Sequence, residues 1–208
     1  MDHNTRLHMD LSHFPDELGY IHNFCSRLRL IERKGDLGNA IAREISHYTV
    51  YDLQVIGGKF TYEIEKLPSP YRELVRPYFQ AQLFGMHHTL LAMQKEGKFA
   101  TMQEPVRNRR EFLEFCDMVV EGCFRRDPGD EIHFPLYRPR HRFFYYLVSG
   151  FTMFVLEQPG HPVGTPFPGG FRVEEKNGDF LCPIRDHEKE ITYSLCNVCP
   201  ARQAEMNR

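Results

Sequence analysis

Residues 143–156 read Phe143-Phe-Tyr-Tyr-Leu-Val-Ser-Gly-Phe-Thr-Met-Phe-Val-Leu156, the one strongly apolar run in the chain. It extends for about 14 residues and carries Ser149, Gly150 and Thr152, whereas a bilayer span needs about 20 apolar residues. Pro139 stands just before it, where proline is tolerated in a first helical turn. The stretch therefore predicts a buried core helix, and the rest of the chain must supply what covers it.

Upstream, Leu18, Ile21, Cys25, Leu28 and Ile31 fall at steps of three and four after Pro15, which predicts an amphipathic helix with Cys25 on its buried stripe. A second stripe, Ile41, Ile45, Thr49, Leu53, Ile56, Phe60, Ile64 and Leu67, predicts one long helix ended by Pro68. Gly57-Gly58 inside it costs roughly 1 kcal/mol per glycine against alanine, so a kink or a close helix contact is expected there. Ser69-Pro70 resembles an N-cap with a first-turn proline. Pro77 then restarts or kinks the helix that carries Tyr78, Ala81, Leu83, Phe84, Leu90, Leu91 and Met93, and Gly97 stops it. Asn108 and Glu111 are spaced as a capping box before Phe112, Phe115, Cys116, Val119, Val120 and Cys123, which share one face. Arg125 to Pro135 reads as a loop.

Downstream the character changes. Residues 158–170 are dense in proline and glycine, which forbids regular helix. Asn177-Gly178 is a preferred type I′ hairpin turn. Taken as the loop, it pairs Lys176 with Asp179, Val173 with Cys182 and Phe171 with Ile184, and places Phe171, Val173, Phe180, Cys182 and Ile184 on one face. The expected fold is mainly α: a bundle of about five helices over residues 1–157, with a connector, β-hairpin and cysteine-rich tail over 158–208 packed on it.

Of 208 residues, 41% are hydrophobic and 26% charged, with a formal net charge of −2. This is ordinary globular composition, and it excludes collagen-like, disordered and membrane-bundle classes. Lys and Arg number 26 against 28 Asp and Glu, so there is no overall basic footprint for nucleic acid. The basic residues Arg138, Arg140, His141 and Arg142 follow Arg125 and Arg126, but Asp127, Asp130 and Glu131 lie between, as on a mixed solvated surface. No membrane association is expected. The opening residues Met1 to Asp10 contain no apolar signal region, so a cytoplasmic protein with reduced cysteines is expected. Neither substrate nor partner nor oligomeric state is written in these features.

Six cysteines separate into two groups. Cys182, Cys196 and Cys199 follow the order Cys-x13-Cys-x2-Cys, and a two-residue spacer lets both thiolates of the pair face one ion. Alone such a pair is weak, arising by chance in roughly one chain in six of this length and cysteine content. Context strengthens it: the third cysteine sits on the inner face of a hairpin, as in zinc-ribbon half-sites, and Cys182-Pro183 and Cys199-Pro200 resemble the Cys-Pro steps at iron–sulfur ligands. The competing readings are buried reduced thiols and a redox pair, the latter without the βαβ pattern of a thioredoxin fold. Three thiolates leave a fourth position, open to His161, His187 or a thiolate from elsewhere. A protein ligand there makes the site structural; water or substrate there makes it catalytic. Cys116 and Cys123 stand about 10.5 Å apart along a helix, too far to share an ion. They and Cys25 read as core.

The remaining candidates are weaker. His87 and His88 are adjacent and point about 100° apart on a helix, so they are not a chelating pair. His133, near Asp130 and Glu131, reads as well as part of a charged loop as it does as a base. The glycine steps of the connector open a strand rather than a helix, against a phosphate loop. No Walker, dinucleotide, nucleophile-elbow or His-Glu-x-x-His pattern occurs.

Three C-terminal words belong together: His161-Pro-Val-Gly-Thr-Pro-Phe-Pro-Gly-Gly-Phe171, Phe180-Leu-Cys-Pro-Ile-Arg185 and Leu195-Cys-Asn-Val-Cys199. This stretch resembles an uncharacterised archaeal family, domain of unknown function 2115 or UPF family 0305, found chiefly in methanogens. The resemblance covers about the last 45 residues closely and the helical part in general character. It implies that the proline-glycine stretch, the Cys-Pro step and the paired cysteines occur together, which carries over to His161, Cys182, Cys196 and Cys199, and it favours His161 over His187 as fourth ligand. Asn197-Val198 stands where the family often has a basic and an aromatic residue, which puts in doubt a shared surface contact there. The resemblance implies no activity, but it implies an anaerobic cytoplasm, which favours iron–sulfur somewhat without displacing zinc.

Three functional readings follow. The first is a structural zinc, or alternatively an iron–sulfur cluster, on Cys182, Cys196, Cys199 and His161. The second is a metal- or iron–sulfur-dependent enzyme or redox protein of anaerobic metabolism. The third is a metal-free interaction module in which aromatic residues such as Phe143 and Tyr145 meet a partner.

Overall fold

The computed structural model describes residues 15–125 and 130–205. Among these, six helices longer than one turn precede a small three-stranded sheet. Helix α1 is Pro15–Leu28, α2 Lys34–Ile45 and α3 Val50–Glu65. Helix α4 runs over Tyr71–Gln80, widens into a π turn at Ala81–Gly85 and continues as Met86–Lys95. Helix α5 is Arg109–Phe124, and α6 is Pro139–Gly150 with a π turn at Phe151–Val155. A single helical turn at Asp130–His133 lies between them.

The apolar run is α6, and it packs against each of the other five helices. Phe143, Phe144, Leu147, Val148 and Phe151 are buried. Their rings meet neighbours edge to face, Phe24 on Phe143 at 5.5 Å and Tyr48 on Phe144 at 5.1 Å between centroids, the arrangement that aromatic quadrupoles favour. No helix among the described residues is long and apolar enough to cross a membrane.

The expected long helix over 41–67 is two. Its stripe keeps helical period, but Thr49 and Asp52 form a capping box: the Thr49 N–H donates to Asp52 Oδ2 at 2.8 Å and the Asp52 N–H to Thr49 Oγ1 at 3.2 Å. That local pairing starts a new helix and outweighs a periodicity that would have continued through it. Gly57 and Gly58 lie within the uninterrupted helix α3, and neither makes the expected close contact. The glycines in tight contacts are elsewhere. A Cβ on Gly122 would fall on Tyr146 and one on Gly150 on Phe115, so α5 and α6 each carry a glycine that seats the other's aromatic ring. Pro77 is accommodated inside α4, whose N-cap position is Pro70 rather than Ser69, and Gly97, at φ 68°, ends it. Asn108 precedes α5 with φ 52° and makes no side-chain cap, so the expected capping box there is absent.

Strands β1 (Glu174–Lys176) and β2 (Asp179–Cys182) are antiparallel, with Lys176 opposite Asp179 around Asn177 and Gly178, both at positive φ as a type I′ turn needs. The ladder ends at Glu174 and Leu181. Val173 does not pair with Cys182: its N–H donates to Thr165 O at 3.0 Å and its carbonyl accepts from Gly164 N–H at 2.8 Å. The connector folds back as a partner for this segment, so the pairing extrapolated from the turn stops after three residues. Strand β3 (Arg202–Gln203) joins β2 in parallel, opposite Leu181 and Cys182. Phe167, Val173, Cys182 and Ala201 form a small core beneath the sheet, while Leu195 and Val198 belong to the main helical core.

Candidate functional site

Cys182 ends β2 and is 4% exposed. Pro183 turns the chain there, the Arg185 N–H donates to Cys182 O at 3.5 Å, and the backbone amides of Ile184 and Arg185 favour the thiolate against burial. Arg185 then reaches across: Nε donates to Ala201 O and Nη2 to Asn197 O, each at 3.2 Å. One guanidinium thus fastens the Cys-Pro turn to the segment holding the other two cysteines. Ser194 opens the short 3-10 turn Leu195–Val198, its Oγ accepting from Cys196 N–H at 3.3 Å and donating to Glu188 Oε2 at 2.5 Å. Gly160, just before His161, donates its N–H to Cys199 Sγ at 3.4 Å.

The connector, the Cys-Pro turn and the paired cysteines therefore meet, and the three sulfurs lie within electrostatic reach of one another. Burial pushes Cys196 up to about 11 and raises Cys182 as well. Burial lowers the His161 pKa against the pull of Glu188, so this ring is held neutral. It packs against Phe79 and edge-on to Phe167. Among the described residues, no three His, Cys, Asp or Glu side chains are arranged as a metal-ligand group. His187 is exposed, its N–H on Ile184 O.

Cys25, Cys116 and Cys123 are buried where α1 packs on α5. Burial raises all three thiols. His87 has a pKa lowered by burial and then by His88, and its ring meets Phe144. His133 packs on Tyr62.

A buried His–Asp pair is new relative to the sequence reading. His141, 2% exposed, donates from Nε2 to Asp52 Oδ1 at 3.0 Å and accepts the Arg138 N–H at Nδ1 at 3.0 Å. Burial lowers the His141 pKa while Asp52 opposes the shift. With both ring nitrogens engaged, His141 joins α3 to α6 and has no atom left to serve as a base. Its only trace in the sequence is the Thr49-x-x-Asp52 box, since the partners stand 89 positions apart.

Next to His141 lies a cavity of about 500 Å³ between α3, α6 and residues 188–195. Tyr145 opens onto it. Phe143, by contrast, is 2% exposed and buried against Phe24, so it cannot meet a partner.

Similar proteins place the chain in a family. Two UPF0305 proteins of Methanothermobacter thermautotrophicus match it, one 45% identical over 56 residues and the other 39% identical over 101. Those matches span 27% and 45% of this chain and 36% and 51% of the relatives, so the chain aligns with about half or less of their length. The UPF0305 protein of Methanocaldococcus jannaschii is 20% identical over 170 residues, 82% of this chain and 96% of its own. No solved structure matches this chain. Residues 33–204 match the family described as "Uncharacterized protein conserved in archaea (DUF2115)", and the chain belongs to that family.

Proposed function

We propose that Cys182, Cys196, Cys199 and His161 hold a zinc ion that clips residues 158–208 onto the helical domain of residues 1–157. The donor set fits: three soft thiolates and a neutral imidazole match tetrahedral zinc. The observation that carries the reading is the Gly160 N–H on the Cys199 sulfur, since amide donors around sulfur stabilise thiolates at metal centres and this one comes from the residue beside His161. The four side chains are not arranged as a metal-ligand group at present, so ligation requires the site to rearrange. Arg185, in the Cys-Pro turn, ties that turn to the segment of the paired cysteines. A closed set of four protein ligands makes the ion structural; it supplies the cross-links that a short sheet and irregular tail need. Cysteines in this role stay reduced, as in the cytoplasm.

Anaerobic purification followed by elemental analysis tests this. Zinc near one equivalent is expected, falling by more than about half in Cys196→Ser while helical circular dichroism is retained. Iron with acid-labile sulfide would replace zinc by a cluster on the same ligands. Absence of both metals, or unchanged stoichiometry in Cys196→Ser, overturns the proposal.

A further inference from the structure

The cavity beside His141 is built like a binding site, and the cysteines take no part in its lining. Its volume, about 500 Å³, lies within the range of small-molecule pockets. From Phe143 to Gly150 every residue of the core helix is buried except Tyr145, which keeps 36% of its surface accessible. Phe60, Tyr137, Tyr145 and Tyr146 supply aromatic surface to the walls. A core helix that turns one ring toward a hollow leaves a face on which a flat molecule can stack.

The polar lining narrows the chemistry. Charged residues at the wall are Lys59 and Arg142 against Glu63 and Glu188, two of each sign. Lys59 Nζ lies 2.9 Å from Glu63 Oε1, and Glu188 takes the Ser194 hydroxyl. His141 adds no charge, being held neutral by burial. A ligand of either net charge would enter a site without a matching surplus and lose its hydration uncompensated. The Tyr146 and Ser194 hydroxyl protons are already given to Tyr193 O and Glu188, so the phenol oxygens and the Glu188 carboxylate offer chiefly acceptors to the rim of an uncharged ring. The wall formed by residues 188–195 is anchored: Tyr146 donates its hydroxyl to Tyr193 O at 2.9 Å, and Thr192 to Glu121 at 3.0 Å.

We propose that this cavity binds an uncharged, planar heteroaromatic molecule with hydrogen-bond donors and acceptors on its edge, stacked on Tyr145.

Isothermal titration and saturation-transfer NMR on the full chain test this with adenine and quinazolin-4-one as neutral probes, and adenosine 5′-monophosphate and 1-naphthoate as anionic ones. At least one neutral probe is expected to saturate below about 1 mM, with the anions at least about tenfold weaker. Tyr145→Leu is expected to weaken the neutral probe about tenfold, the scale of one lost stacking partner. Tyr51→Leu, at an exposed α3 position outside the cavity, should leave it unchanged. Glu188→Gln, on an exposed residue, gives the lining a positive surplus and should move preference toward 1-naphthoate. No neutral probe binding below about 1 mM, equal binding of anions by the native protein, or Tyr145→Leu binding as tightly as native would overturn the proposal.

Discussion

The Tyr146 hydroxyl lies over Gly122, so close that a Cβ on this glycine would stand 1.9 Å from the oxygen. The same hydroxyl donates to Tyr193 O at 2.9 Å, so one contact fixes the spacing of α5 and α6 and holds the C-terminal segment down. Gly122→Ala is expected to destabilise by about 2–3 kcal/mol, combining overpacking with loss of that hydrogen bond. Tyr146→Phe alone should cost about 1 kcal/mol. Because both changes act on one contact, their urea-unfolding effects should sum to more than the double variant loses; strict additivity would contradict the shared seat.

Removing the Asp52 carboxylate strands three donors: His141 Nε2–H, the Thr49 N–H and the Thr49 hydroxyl. Asp52→Ala leaves the buried His141 Nε2–H without its acceptor and takes half of the capping box from α3. A loss of about 2–4 kcal/mol is expected. His141→Leu keeps the α3 cap and strands only the Arg138 N–H at the start of α6, so it should cost less, by chemical denaturation, than Asp52→Ala.

Acid should weaken the fold in two steps. Burial lowers the His141 pKa below its ordinary 6.5, so the unfolded chain takes up this proton at higher pH than the folded one. That contribution is complete above about pH 6.5 and is lost as pH falls toward the folded value. His87, lowered mainly by burial, acts in the same direction. Asp52 follows in stronger acid: burial raises it, but hydrogen bonds from Thr49 and His141 and the charge of Arg140 prevail and hold it below 3.8. Its contribution is present above that value and disappears as pH falls through the folded one. Melting temperature should therefore fall between about pH 7 and 5, less steeply in His141→Leu; a flat native profile over that interval would refute the assignment.

Arg185→Ala should loosen the tail locally. The guanidinium holds the Ala201 and Asn197 carbonyls to the Cys-Pro turn, so hydrogen exchange is expected to accelerate about tenfold or more at residues 196–204 while α6 stays protected. Uniform acceleration through α6 would mean that this arginine supports the whole fold.

Much of this architecture is legible from local pattern. Three-and-four spacing marks α1 and α5, the apolar run after Pro139 marks α6, and Asn177-Gly178 sets the first pairs of the β1–β2 ladder. What escapes sequence reading depends on distant partners. The Thr49–Asp52 box interrupts a stripe whose period gives no sign of a break, and the Asp52–His141 bond joins residues that only the tertiary fold brings together. Among the tight glycines, Gly38, Gly122 and Gly150 meet a ring from another element and Gly35 meets backbone, whereas the conspicuous Gly57-Gly58 pair has no tight contact. At the C-terminal site, spacing groups Cys196 with Cys199, but Arg185 as the tie between the two turns has no local signature. Sequence alone ranks Phe143 and Tyr145 alike as partner-facing aromatics, and only the fold separates the buried ring from the one beside the hollow.

Leu195 and Val198 lie in the principal helical core, Val198 with 2% of its surface exposed. On a translating ribosome the helices emerge well before these two residues do. The nascent bundle must wait with an apolar gap along α5 and α6, so the interval between synthesis of residue 156 and residue 198 is when a chaperone has most to shield.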